Sequence, residues 1–173
     1  MVSKVPYLAY KSLAELFGHY VREFVNRSPI IASCGCRINC YKHHFVHMVK
    51  LNDSQKSQFS FPDEEAEILA CLDGFGKYTH ETRRAVRLLA SLECLQNPDQ
   101  VTRPKTLVTA DRAFLKIFDC SEYPGIVVLV RKEENGLLTL CTGQPIRRGQ
   151  VKKWEAGEIL FPKTPQPPSP VAV

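Results

Sequence analysis

Two groups of side chains in this sequence have the types and spacing to do chemistry. The first begins with His80, Arg84 and Arg87, which stand at i, i+4 and i+7 and so share one face of any helix that carries them. An imidazole titrates near neutrality and can exchange a proton with a hydroxyl. A guanidinium fork matches two oxygens of a phosphate. In the first turn of a helix the dipole disfavours the cationic form of His80, which would keep it a neutral base. The plainer reading of the same stripe is a solvated basic face balanced by Glu81 and Glu93. Further along, Lys116, Arg131, Thr142, Arg147 and Arg148 fall on or just after predicted strands. Because strand residues alternate faces, Thr139 with Cys141 and Leu140 with Thr142 cannot both face a cleft. Thr142, nearest to Arg147 and Arg148, is the candidate phosphate ligand, although a threonine is also an ordinary strand former. A histidine, several arginines and hydroxyls on a small sheet suit a phosphodiester, and point towards RNA.

The second group is Cys34-x-Cys36-x3-Cys40-x2-His43-His44-x2-His47. Thiolates and imidazoles are the ligands zinc prefers, but the spacing is not that of a zinc finger, and Cys34-Gly35-Cys36 is tight for one tetrahedral ion. Buried thiols, or histidines lining a nucleic-acid cleft, are the competing readings. Lys152-Lys153-Trp154 joins two cations to the one tryptophan, which could stack on a base or simply pack in the core.

The elements that must position these residues can be outlined from pattern. Ser12-Leu13-Ala14-Glu15 reads as a capping box, and Leu13, Leu16, Phe17, Tyr20 and Phe24 follow at helical spacing, so a helix is predicted over 12–26. Arg27-Ser28-Pro29 stops it. Residues 30–33 and 37–51 read as extended, with His43, Phe45, His47 and Val49 on one strand face. A polar loop over 52–61 leads to a short helix opened by Pro62-Asp63-Glu64-Glu65 and closed by Gly74. Thr79 is a candidate cap for a helix over 80–96 with Ala85, Leu88, Leu89, Leu92 and Leu95 in the core, ending at Asn97-Pro98-Asp99. Strands are expected at 106–110, 113–118, 126–132 and 137–142, with turns at Tyr123-Pro124-Gly125 and Asn135-Gly136. The proline-rich residues 164–173 cannot form regular structure and are expected to be disordered or extended. The expectation is an α+β domain over 1–163, with N-terminal helices followed by a small antiparallel meander sheet.

Bulk properties bound the function. The 173 residues can bury a real core, and the net charge of +5 fits an anionic partner without requiring one. No apolar run approaches the length of a membrane span, so no membrane partner is expected. The sequence shows no signal peptide, and its seven scattered cysteines are an odd set, so reduced thiols in a cytoplasmic protein are expected.

The stretch from Thr79 to Phe161 resembles the phage-type members of the barnase–EndoU–colicin–RelE nuclease superfamily. The matching pattern is a helix carrying His80, the boundary from Leu95 to Val101, three short strands, the threonine-rich Leu138-Thr139-Leu140-Cys141-Thr142, and a basic segment closing on Gly157-Glu158-Ile159-Leu160-Phe161. The segment from His44 to Leu51 also looks like an early strand of such domains, while the Cys/His cluster departs from the family pattern. The resemblance implies a metal-independent ribonuclease or toxin-like relative, with no cofactor, with RNA as partner and room for a protein inhibitor. In such enzymes a base deprotonates the ribose 2′-hydroxyl, which attacks the adjacent phosphate in line, and cations stabilise the phosphorane. On that reading His80, Arg84, Thr142 and Arg147 carry the chemistry. Arg87, Lys116, Arg148, Lys50 and His47 hold the substrate, and His44 or His47 beside Lys50 offers a second acid or base. The alternative is a zinc-stabilised module that binds nucleic acid or protein and cleaves nothing.

Overall fold

The computed structural model describes residues 2–49, 82–105 and 110–161. His80 and Lys50, the loop and short helix expected over 52–74, the Thr79 cap, Cys71, most of the expected strand 106–110 and the proline-rich tail lie outside the described residues. The fold is α+β. Its sheet is larger than the meander expected and it is mixed, with eight strands: β1 (Ser3–Lys4), β2 (Ile30–Ile31), β3 (Arg37–Asn39), β4 (Gln100–Arg103), β5 (Arg112–Asp119), β6 (Gly125–Lys132), β7 (Leu138–Ile146) and β8 (Glu158–Phe161). The order is β2-β3-β7-β6-β5-β4-β8, and β1 joins off that path, parallel to the far end of β5. The centre is the antiparallel run β4–β5–β6–β7. The sheet is mixed because two strands from the N-terminal part of the chain pair parallel, β3 to β7 at Ile38↔Leu138 and β1 to β5 at Ser3↔Phe118.

The predicted Asn135-Gly136 turn forms, whereas between β5 and β6 the bend falls at Ser121-Glu122 and Gly125 already opens β6. Gly136 takes φ +83°, a value that favours glycine, and the Glu133 and Leu137 backbones close the β6–β7 hairpin at 2.8 Å. Asn97-Pro98-Asp99 pins the entry of β4: Asp99 accepts from the Ile117 N–H at 2.7 Å and donates its own N–H to Leu115 at 2.8 Å.

Five α-helices lie among the described residues: α1 (Leu13–Tyr20), α2 (Phe45–Val49), α3 (Thr82–Ala85), α4 (Leu88–Gln96) and α5 (Arg148–Glu155). Ser12 caps α1 by accepting from the Glu15 N–H at 3.1 Å, while the Glu15 carboxylate reaches back one residue further than expected, to the Lys11 N–H at 2.7 Å. The helix continues as a π-helical segment over Val21–Val25, so the element predicted for 12–26 is there in two geometries.

Two expectations fail. The segment after Asn39 is not a strand: Lys42–His44 form a 3₁₀ turn that runs directly into α2. Valine and phenylalanine favour strands, but Phe45, Val46, Met48 and Val49 are all buried, which a helix packed against α3 and β7 satisfies and a two-faced strand would not. The helix expected over 80–96 is also interrupted, because Val86 and Arg87 form a turn between α3 and α4.

The core lies on both faces of the sheet. On one, Phe17, Tyr20, Phe24, Phe45, Leu88 and Leu95 of the helical layer meet Phe114, Phe118, Val128 and Leu140. Phe17 and Phe45 contact edge to face with ring centroids 5.1 Å apart. Each such ring, fully buried, contributes about 1.5–3 kcal/mol. On the other face α5 lays Trp154 and Val151 over Ala113, Leu115, Val127 and Ile146. Trp154 is therefore a core residue rather than an exposed stacking platform. Among the described residues no helix is long and apolar enough to cross a membrane.

Candidate functional site

The site begins with an irregularity in β7. Leu129 pairs with Thr142 but Val130 pairs with Leu140, so Cys141 is an extra residue, a β-bulge. The bulge resets the alternation, and Leu140, Cys141 and Thr142 all line one cavity of about 330 Å³. Among the described residues, β3 covers only Leu138 and Thr139 of the outer edge of β7, and beyond them α2 and α3 flank that edge. The cavity is completed by His43, His44 and His47 from the 3₁₀ turn and α2, by Arg131 of β6, and by Ala110 and Leu129. None of these lining residues is acidic, although Arg131 is paired at the rim with Glu133 at 3.0 Å.

The helical course of 42–49 is what gathers the imidazoles. A strand would have put His43 and His44 on opposite faces, whereas here their ring centroids are 4.1 Å apart, and His43 stacks on Tyr41 at 5.7 Å. His44 is buried at 8 % exposure. Burial, followed by the nearby His43, His47 and Arg131, pushes its pKa down to about 3, so it remains a neutral imidazole in neutral solution. Among the described residues its Nδ1 has no hydrogen-bond partner. His47 is exposed at the cavity wall and His43 is half-buried.

Among the described residues, three acceptors fix Arg84 beside the cavity. Its Nη1 donates to Thr142 Oγ1 at 3.1 Å and to the His47 carbonyl at 3.2 Å, and its Nη2 donates to Gln144 Oε1 at 2.9 Å. Thr142 in turn donates its hydroxyl to the His47 carbonyl at 2.7 Å. Thr142 therefore ties a guanidinium to the end of α2, and positions it, rather than offering its own proton outward.

The turn at Val86 and Arg87 sends the neighbouring arginines elsewhere. Arg83 and Arg147 both donate to the Tyr123 hydroxyl, Arg147 through Nε at 3.4 Å and Nη2 at 3.3 Å. The Arg87 guanidinium lies 5.3 Å from the ring centroid of Tyr7 and 5.5 Å from that of Tyr123. Arg87 is only 7 % exposed, and among the described residues its Nε has no hydrogen-bond partner. The Arg147 hydrogen bond outweighs the opposing effect of burial and, helped by the Arg83 hydrogen bond, holds the Tyr123 phenol below its ordinary pKa.

Of the residues singled out from sequence, Arg84, Thr142 and His47 come together. Arg87 and Arg147 join a second, tyrosine-centred cluster, so Arg84 and not Arg147 is the guanidinium on Thr142. Lys116 faces α4, where its ammonium donates to the Asn97 carbonyl at 2.8 Å and pairs with Glu93 at 3.6 Å. Arg148 opens α5 and lines a separate cavity with Cys120 and Lys152. Sequence reasoning did not single out Gln144, Tyr123 or Tyr7. Gln144, two residues beyond Thr142, could have been found by continuing the strand past Thr142. The two tyrosines carry no local signal, because only the tertiary fold brings them to the arginines.

The Cys/His group does not converge. Cys34 and Cys36 lie in the β2–β3 loop, Cys40 is buried, and the histidines face the cavity. Among the described residues no three His, Cys, Asp or Glu side chains are grouped so as to hold a metal ion. No known family model, curated protein or solved structure matches the chain.

Proposed function

We propose that this chain binds RNA at the His43–His47–Arg84–Thr142 site and cleaves its phosphodiester bonds without a metal ion, in the manner of the nuclease superfamily that the sequence resembles. The observation that carries the reading is the convergence of three imidazoles and Arg131 on a cavity in which no described lining residue is a carboxylate, with Arg84 held beside it on Thr142 and Gln144. The antiparallel β4–β5–β6–β7 run behind the helices supports the same reading.

The roles follow from exposure and geometry. His47, exposed at the cavity wall, exchanges the proton: it takes that of the ribose 2′-hydroxyl, whose oxygen then attacks the adjacent phosphorus in line while the 5′-oxygen leaves. His80, which the sequence offers as the first acid or base, stands four residues before Arg84 in the chain, and in this proposal it protonates the leaving oxygen. His44, uncharged and buried, shapes the wall and does not titrate in the working range. Arg84 and Arg131 meet the negative charge that grows on the phosphorane. Arg84 needs little reorganisation to do so, because Thr142, Gln144 and the His47 carbonyl already fix it. The Arg83–Arg87–Arg147 cluster around Tyr123 holds the backbone of a longer strand.

The test is cleavage of labelled single-stranded RNA in excess EDTA. His47→Ala and Arg84→Ala are each expected to reduce the rate by ~100-fold or more with the fold intact. Undiminished cleavage by Arg84→Ala would remove this site from the mechanism. Binding without turnover by the parent protein would reduce the reading to RNA recognition alone.

A further inference from the structure

The loop between β2 and β3 carries a feature that RNA cleavage does not use. Cys34 and Cys36 stand at i and i+2 with their sulfurs 3.2 Å apart, and the Cys34 thiol donates to the Cys36 sulfur. Arg112 of β5 donates to the same Cys36 sulfur from Nη1 at 2.7 Å. One sulfur of the pair thus receives two donors, one of them a fixed positive charge. Asp111, 3.3 Å from Arg112 Nε, steadies that guanidinium from its other side.

The loop is built to hold the pair. Gly35 between the cysteines takes φ +85°, a value open to glycine and costly for other residues. The Gly35 N–H donates to the Ala32 carbonyl at 2.8 Å and the Ala32 N–H donates to the Cys36 carbonyl at 2.9 Å. Ser33 N–H, bonded to the Gln96 carbonyl at 2.8 Å, anchors the loop to the end of α4. Both sulfur-bearing residues are half-buried, and therefore reachable, whereas Cys40 and Cys94 are buried.

We propose that Cys34 and Cys36 form a dithiol exchange site for small-molecule disulfides, with Cys36 as the attacking sulfur and Cys34 as the resolving one. The Cys36 thiolate attacks one sulfur of the incoming disulfide. A mixed disulfide forms on Cys36, the incoming S–S bond breaks, and the first small thiolate leaves. Cys34 then gives up its proton and attacks the Cys36 sulfur, which forms the Cys34–Cys36 disulfide and expels the second small thiolate. The two cysteine protons end on the two released thiols, the substrate disulfide gains two electrons, and the cysteine pair loses two. Arg112 acts by donating to the Cys36 sulfur, and Cys34, whose pKa burial and the neighbouring Cys36 sulfur raise, enters the first step as a thiol.

The experiment uses the full, reduced chain treated with glutathione disulfide without oxygen, quenched by alkylation and mapped by peptide mass spectrometry. The parent is expected to show a Cys34–Cys36 disulfide and no lasting glutathione adduct on either residue. Cys34→Ser is expected to accumulate the mixed disulfide on Cys36. Arg112→Gln should slow the reaction at Cys36 by about tenfold, the scale of one lost charge-assisted hydrogen bond, and Arg112→Lys should recover part of the rate. The proposal is overturned if Cys34→Ser carries its adduct chiefly on Cys120 or Cys141. It is equally overturned if the parent keeps a stable glutathione adduct, or if Arg112→Gln reacts as fast as the parent. None of these readouts depends on RNA cleavage.

Discussion

At the scale of single residues, the site turns on which polar groups are already committed. Thr142 both accepts from Arg84 and donates to the His47 carbonyl, so its hydroxyl organises the site. Thr142→Val, which keeps the shape and removes the hydroxyl, is expected to lower RNA cleavage by about tenfold and to leave RNA binding nearly unchanged, as loss of one positioning hydrogen bond would. Loss of binding in step with cleavage would mean that the hydroxyl contacts RNA directly. His44 supplies a pH prediction. Its ordinary pKa of 6.5 is lowered to about 3 in the folded chain, chiefly by burial. Between those values the unfolded chain binds a proton that the folded one does not. The stability penalty is therefore absent above about pH 6.5 and grows as pH falls towards 3, by up to about 1.4 kcal/mol per pH unit. Denaturant unfolding of His44→Gln should show a flatter loss of stability from pH 7 to 5 than the parent, and equal slopes would show that His44 is protonated in the folded state. The sequence made Arg84, Thr142 and His47 legible as types suited to phosphate. It paired Thr142 with Arg147 because the two are close in the chain. The bulge and the packing of α2 and α3 along β7, which bring Arg84 instead, have no signature in the sequence.

At the scale of elements, what was legible is what local chemistry decides. Ser12 and Asn135-Gly136 each fix a boundary through their own hydrogen bonds or φ, and all were read correctly. What was not legible is decided by packing. Residues 43–49 carry strand-forming side chains, yet four buried apolar residues among them wrap onto α3 and β7 as a helix. The break at Val86 and Arg87 splits an otherwise helical pattern, so one basic stripe becomes two clusters. Gly143, directly after Thr142, is where the helical layer closes on β7. A Cβ there would lie 2.6 Å from Ser91 Oγ of α4 and 2.9 Å from Met48 Cε of α2. Gly143→Ala should cost about 1–3 kcal/mol in urea unfolding, the range for overpacking a filled core, and Ser91→Gly in the same chain should recover part of it. Unchanged stability in the single variant would mean that the helical layer is not seated on β7 as described.

At the scale of the whole molecule, a two-faced sheet closed by helices on one side and α5 on the other leaves one edge of β7 for α2 and α3. Imidazoles and arginines gather there because that edge is where segments far apart in the chain must meet. The net charge of +5 fits an anionic polymer at this surface, and binding should weaken as salt rises. The most direct measurement uses two otherwise identical oligonucleotides in excess EDTA, one all-ribose and one with a single 2′-deoxy sugar at the mapped cleavage position. Cleavage of the first to a 2′,3′-cyclic phosphate, with the second resisting at that position, is the predicted result. Equal cleavage of both, or cleavage that disappears with EDTA, would contradict attack by the 2′-hydroxyl at a metal-free His47–Arg84 site.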